Sequence, residues 1–381
     1  MAKKGLAIFY SPKELHQFIW YYCNKGQGKE WDALCLPNYP KEEYMHTYCQ
    51  AAGIFSTVFR SDSVFMNLST LKKLRLFLSM FGYFLIGQQR RFCRKFLNSY
   101  VPIDDYDEIF VNCNGLIGGA CIVLGREKEV VLLDDGHAEY TKRPKWITKE
   151  KLKTSFYREG FILARMGYCA TGFYYFDPDK YCIKYANFPE KMLYRNYKEI
   201  RQLFAEEGTD QALFEKIMHR IFPSLDKINL KEVDAVFFTR SLSDNVSDYK
   251  KYIRCFESFV NERYHNILIK KHPHEICQYH FADHVVCTEI ESAIPAEVLL
   301  PFLKDKDIYI LGSSTILMYT KSLNLHLFVI EFQGLSEESL QDGLAHYISI
   351  EEVRQYCDKY SNGNYELIVL SPSLSNDERI K

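Results

Sequence analysis

No Cys-x-x-Cys pair occurs among the twelve cysteines of this chain, and no cysteine and histidine cluster has zinc spacing. Met1-Ala2-Lys3-Lys4-Gly5 runs straight into the apolar stretch Leu6 to Tyr10, with no leader-like segment and no small-residue cleavage site. The thiols therefore read as reduced, and the protein as cytoplasmic. No apolar run approaches the ~20 residues that a membrane-spanning helix needs; the longest lies between Leu76 and Ile86. Gly118 and Gly119 lack the rest of a dinucleotide fingerprint. Internal repeats and low-complexity tracts are missing as well.

Acid is absent from Ser63 to Ile103, although the whole chain has a net charge of only −1. That stretch holds Lys72, Lys73, Arg75, Arg90, Arg91, Arg94 and Lys95, a local charge of +7. Basic residues around an apolar helical segment suit an acidic acceptor or a peripheral contact with the inner membrane surface. The plainer alternative is a solvated helix face balanced by acids elsewhere.

The length of 381 residues exceeds one ordinary core and implies two domains. Hydrophobic residues at 47% and charged residues at 25% give the balance of a globular protein. The 28 tyrosines and 27 phenylalanines serve thick cores and sugar-binding surfaces equally well, so their number decides nothing. Apolar strand candidates recur at Leu6 to Tyr10, Ala33 to Leu36, Thr57 to Phe59, Glu108 to Val111 and Val130 to Leu133, with helical spacing between them. Residues 141–230 read as mainly helical, with Leu213, Ile217 and Ile221 on one face, until Phe222-Pro223-Ser224 breaks the pattern. A second series follows at Ala235 to Phe238, Asn266 to Ile269, Val285 to Thr288, Ile308 to Leu311 and His326 to Glu331. The tail, with Pro372 and several polar residues, is expected to fray at its end. This rhythm predicts an α/β protein with parallel sheets covered on both faces. Two such units in tandem fit a pair of Rossmann-like domains facing a central cleft, the GT-B layout. The boundaries are placed at 1–225 and 226–381.

Three strings stand where strands end, the edge at which open α/β sheets bind ligands. Asp134-Asp135-Gly136 follows Glu129 to Leu133; a carboxylate there can take a proton from a bound hydroxyl, although Asp-Gly is also a common turn. His272-Pro273 follows Asn266 to Lys271. Lys270, Lys271, His272 and His274 gather four potential cations, a set suited to phosphate and to protonating a leaving group, against the alternative of a loop histidine fixed by proline. Gly312-Ser313-Ser314-Thr315 follows Asp307 to Leu311 and leads into a helical pattern, offering more hydroxyls than one N-cap uses. Glu297 reads as a first-turn helix acid that could also accept hydrogen bonds from ribose. Asp177-Pro178-Asp179 has the spacing of a metal-binding acidic pair but stands in a Tyr- and Pro-rich loop and reads as a turn.

In this order the strings resemble the bacterial CMP-sialic acid-dependent sialyltransferases, the capsular polysialyltransferases and lipooligosaccharide sialyltransferases in particular. Those families share an acidic pair with glycine, a His-Pro pair and a Ser/Thr-rich motif. Tyr140, Thr141 and Lys142, Ile269, Lys270 and Glu275, and Leu317 and Tyr319 match in the flanks, and the likeness spans roughly residues 130–320. His274 departs from it, standing where Arg or Lys is common. The first 125 residues carry no matching motif, and the N-terminal half is expected to choose the acceptor.

The resemblance implies an inverting transfer from CMP-sialic acid to a glycan or glycolipid acceptor, with no cofactor, no metal and no nucleic-acid partner. By position, Asp135 is the general base, supported by Asp134. His272 helps the nucleotide leave. Gly312, Ser313, Ser314, Thr315 and Lys270 hold its phosphate, and Glu297 its ribose. Lys72, Lys73, Arg90 and Arg91 are assigned to the acceptor or membrane surface. Two other readings stand beside it: transfer of another CMP-activated ulosonic acid such as Kdo, and a non-catalytic polyanion binder.

Overall fold

The computed structural model describes residues 4–36, 43–61, 69–112, 115–124, 127–133, 192–194, 210–240, 249–272, 275, 277–292, 294–303, 305–312, 316–317, 325–332, 350–361 and 363–371. The chain divides into two compact units, Met1–Ile221 and Phe222–Lys381.

The first unit contains strands β1 (Lys4–Phe9), β2 (Glu30–Cys35), β3 (Thr57–Arg60), β4 (Glu108–Asn112), β5 (Glu129–Leu133) and β6 (Met192–Tyr194). They form one parallel sheet in the order β3-β2-β1-β4-β5-β6. Among the described residues its α-helices are α1 (Pro12–Tyr21), α2 (Glu43–Ala52), α3 (Thr70–Leu85), α4 (Gln89–Leu97), α5 (Gly115–Val123) and α6 (Gln211–Ile221). Leu6, Ala7, Ile8 and Phe9 are all fully buried, because helices cover both faces of a central parallel strand. Many of the aromatic residues go into this core. Phe18 meets Phe9, Trp31 and Phe110 edge-on at 5.7, 5.0 and 5.3 Å, and Trp20 stacks on Phe214 of α6 at 4.0 Å. Each such pair contributes about 0.5–1.5 kcal/mol beyond its buried area. Gly5 stands opposite Trp31 in the register, and a Cβ at Gly5 would lie 2.2 Å from the indole ring. Glycine there lets the ring lie across β1.

The second unit has β7 (Ala235–Phe238), β8 (Asn266–Lys270), β9 (Val286–Ile290), β10 (Asp307–Leu311), β11 (Leu327–Phe332) and β12 (Tyr365–Leu370). Helices α7 (Tyr249–Asn261), α8 (Ala296–Leu299) and α9 (Ile350–Ser361) accompany them. The sheet order is β12-β11-β10-β7-β8-β9, again all parallel. Position for position this repeats the first sheet: two Rossmann-like α/β units in one chain. Phe237 stacks on Tyr309 at 4.7 Å and meets Phe256 edge-on at 5.3 Å, which ties α7 to the central strands.

All ten expected strands are present, with ends shifted by a few residues. Two further strands, β6 and β12, complete the sheets. β6 lies within residues 141–230, the stretch expected to be mainly helical, and its Met192, Leu193 and Tyr194 pair with Val130, Val131 and Leu132; α6 is the helix expected there, and residues 141–191 and 195–209 lie outside the described residues. Three residues are too few to show a period of two, so only the pairing with β5 reveals them. β12 is an apolar run just before the polar tail, aligned with the whole of β11.

Candidate functional site

In each sheet the strand order reverses at the centre, between β1 and β4 and between β7 and β10. At such a point the loops leaving the two strands turn to opposite faces and open a crevice at the carboxyl edge. In the second unit the residues leaving this edge are Thr239 and Arg240 after β7, Lys271 and His272 after β8, and Gly312 after β10.

His272 is half-buried on a backbone that is held from several sides. Its N–H lies 3.3 Å from both the Thr239 hydroxyl and Glu275 Oε2, and its carbonyl accepts the Glu275 N–H at 2.9 Å. Glu275 also accepts hydrogen bonds from the Thr239 and Tyr279 hydroxyls. One strand down, the Thr239 N–H donates to the Lys270 carbonyl at 3.1 Å. Burial raises the proton affinity of the Glu275 carboxyl, against the opposing hydrogen bonds from Thr239, Tyr279 and the His272 amide. Burial, together with the Glu275 charge, holds the Tyr279 phenol well above its ordinary range. The backbone of His272 is thus held by hydrogen bonds from within the second unit.

Lys270 is buried and donates from Nζ to the carbonyls of Lys271 at 2.6 Å and Ser292 at 3.0 Å. Burial lowers its pKa to about 8, opposed by the negative charges of Glu297 and Glu275. Glu297, buried in the first turn of α8, is therefore close enough to act on Lys270. The folded pKa lies below the ordinary lysine value of 10.5. Below about 8, the buried ammonium costs stability. Between about 8 and 10.5 the folded state has released a proton that the unfolded chain keeps, so stability rises with pH in that window. The urea-unfolding free energy of the wild type relative to Lys270→Met is expected to rise across this window, by at most about 3 kcal/mol. A flat difference would remove the buried ammonium from the account.

Gly312 adopts φ +75° and is buried, and its N–H donates to the Ile330 carbonyl at 2.8 Å. A Cβ there would stand 2.6 Å from Arg240 Nη1 and 3.2 Å from Glu331 Oε1. Arg240 pairs with Glu331 at 3.5 Å and lies 5.9 Å from the centroid of the Phe332 ring. Burial raises the Glu331 carboxyl, with the Arg240 charge opposing it. A guanidinium thus lies against a glycine at the sheet's reversal point, where a phosphate would approach backbone.

The structure brings Lys270, His272, Gly312 and Glu297 to one region of the second unit. Asp134, Asp135, Ser313, Ser314 and Thr315 lie outside the described residues; β5 ends at Leu133, directly before the acidic pair. Lys72 and Lys73 fall in α3, with Lys72 exposed. Arg90 and Arg91 are exposed on α4: Arg90 pairs with Glu127 at 3.1 Å, and Arg91 donates to Gln88 at 3.3 Å. Arg240, Thr239, Glu331 and Tyr279 were not singled out from the sequence. Arg240 is the second residue past β7, a signal that becomes readable only once β7 is known to be a central strand. Among the described residues, no group of three or more His, Cys, Asp or Glu is placed to hold a metal ion.

The chain is an α/β protein of two Rossmann-like units, the second with Thr239, Arg240, Lys270 and Lys271 at the carboxyl edge of its sheet, and comparison with known proteins supplies the class. The model of the alpha-2,8-polysialyltransferase family matches residues 42–326, a span containing all three motifs. The chain belongs to that family. It is a glycosyltransferase of the sialyltransferase kind, with a nucleotide-sugar donor and a glycan acceptor. The non-catalytic polyanion reading falls with this assignment. No curated protein matches the sequence. Among solved structures, a sialyltransferase from Photobacterium damsela is similar at 14% identity and a TM-score of 0.45, covering 96% of this chain and 81% of its own. A UDP-GlcNAc 2-epimerase from Neisseria meningitidis is similar at 13% and 0.47, covering 97% and 88%. The glycosyltransferase SnogD from Streptomyces nogalater is similar at 11% and 0.43, covering 100% and 99%.

Proposed function

We propose that the protein is a cytoplasmic, inverting, metal-independent sialyltransferase. It moves sialic acid from CMP-sialic acid to a hydroxyl of a bacterial surface glycan: lipooligosaccharide, capsule or polysialic acid. The observation that carries this reading is the placing of Lys270, His272, Arg240 and Gly312 along the carboxyl edge of the neighbouring strands β8, β7 and β10, within the span matched by the family. In this reading the acceptor oxygen bonds to the donor's anomeric carbon from the face opposite the phosphate. The carbon–phosphate-oxygen bond breaks, and CMP leaves with both electrons. Asp135, supported by Asp134, takes the acceptor's proton. His272 gives a proton or a hydrogen bond to the departing phosphate, while Lys270 and the hydroxyls of Ser313, Ser314 and Thr315 share its growing charge. Donors already in place at a developing negative charge lower a barrier more than mobile ones do. A fixed cationic edge supplies the charge that a divalent ion would otherwise bring. Glu297 accepts from the ribose hydroxyls.

The test is direct. Purified protein given CMP-sialic acid and a panel of sialylated and galactose-ended acceptors releases CMP and forms a sialylated product. Calorimetry with CMP-sialic acid and CMP-Kdo ranks the donors, sialic acid binding more tightly. A folded protein that neither hydrolyses nor transfers the donor would overturn the proposal.

A further inference from the structure

Helix α3 carries its large apolar residues on the outside. Leu71, Leu74, Leu78, Phe81 and Leu85 recur at alternating spacings of three and four, which aligns them along one face of a helix about 24 Å long. With Ile86 in the following turn, each is between 44% and 65% exposed. The rest of the helix surface is the anchored part: Phe77, bordering the row, and Met80 are buried, and Tyr83 packs on Phe92 of α4 at 5.9 Å. The stripe is thus surplus to the core. Singly exposed leucines are ordinary; six large residues in one continuous row are not.

The charge beside the row is of one sign. Lys72 and Arg75 are exposed on α3, and Arg91 and Lys95 on α4; neither helix contains an acid. Arg90 and Arg94 are held by Glu127, and Arg94 also by Asp104, so they brace the hairpin of α3 and α4 against the rest of the unit. That leaves Lys72, Arg75, Arg91 and Lys95 with no acidic partner among the described residues. No helix among those residues is long and apolar enough to cross a membrane.

We infer that the outer face of α3 is a docking surface for an anionic lipid bilayer. The leucine and phenylalanine row enters the boundary between headgroups and acyl chains, and the lysines and arginines beside it meet the lipid phosphates. An apolar row alone would suit any hydrophobic partner. The acid-free cationic border selects a surface that is negative over a wide area, and a helix lying flat presents both features together. This inference concerns a surface apart from the nucleotide edge and stands whether or not the donor is CMP-sialic acid.

Vesicle flotation of the full chain tests it, using phosphatidylcholine vesicles with and without phosphatidylglycerol. The wild type is expected to float with the anionic vesicles and not with the neutral ones, and to lose binding as salt rises. Leu74→Ser combined with Leu78→Ser is expected to cut partitioning at least tenfold with an unchanged thermal unfolding midpoint, because both side chains are exposed. Arg75→Glu, which leaves the apolar row intact, is expected to weaken binding to anionic vesicles severalfold. The inference is overturned if the wild type does not float, or if the variants float as well as it does. Concentration-dependent self-association of the wild type, abolished by the serine pair and without lipid binding, would instead assign the face to a second copy of the chain.

Discussion

Asp135→Ala is expected to lower sialyl transfer by about 10²–10⁴-fold while leaving CMP affinity within a factor of two or three. The reason lies in the division of labour within the proposed reaction. An acceptor hydroxyl is a poor nucleophile until a base takes its proton, and Asp135 follows Leu133, the last residue of β5, by two positions in the sequence. The nucleotide is served by other residues, so losing the acid leaves its binding intact. His272→Ala is expected to make the contrast: transfer falls by about 10²-fold and the donor KM rises, because in the proposed reaction this side chain acts on the departing phosphate. Steady-state kinetics combined with CMP calorimetry separates the two. Equal loss of CMP binding in both variants would mean that Asp135 belongs to the nucleotide side and that the base lies elsewhere.

Gly312→Ala is expected to destabilise the second unit by about 2–4 kcal/mol and to raise the donor KM. Two costs add at this position. A side chain at φ +75° is strained wherever it occurs, and here its Cβ also crowds Arg240 and Glu331. Gly363 separates the two costs, since it has φ +81° with nothing within 4 Å of the added Cβ. Gly363→Ala is therefore expected to show the backbone penalty alone, about 1 kcal/mol, with unchanged donor KM. Urea unfolding of both variants measures the difference. Equal destabilisation would show that Arg240 moves aside freely and that its position against the glycine carries no constraint.

The strands were legible because parallel strands buried on both faces must be nearly continuous apolar runs, and Leu6 to Phe9 and Ala235 to Phe238 are such runs. Strand order was not legible: nothing in the spacing of β7 and β10 states that they lie side by side. For that reason Lys270, His272 and Gly312 could be singled out as strand-end residues, while Arg240 could not. The clamp on His272 was hidden for a related reason. Thr239 and Glu275 are separated by 36 positions, and their hydrogen bond exists only because β7 and β8 are neighbours. Glu275 looked like a flanking match; its contact with the His272 backbone is local, three residues away, and only its bond with Thr239 is a tertiary fact. The basic stretch was legible as charge, but charge alone could not say that Arg90 and Arg94 are tied down by Glu127.

The central reversal of each sheet also governs how the protein is made. β1 lies between β2 and β4, so one side of it stays unpaired until residues 108–112 have left the ribosome. β7 likewise waits for residues 307–311 before its second neighbour exists. Both units must therefore close long loops before their middles are complete, a route that is slow and exposes sticky backbone edges in transit. Slower synthesis at reduced temperature is the growth condition that this architecture favours for recovering folded enzyme.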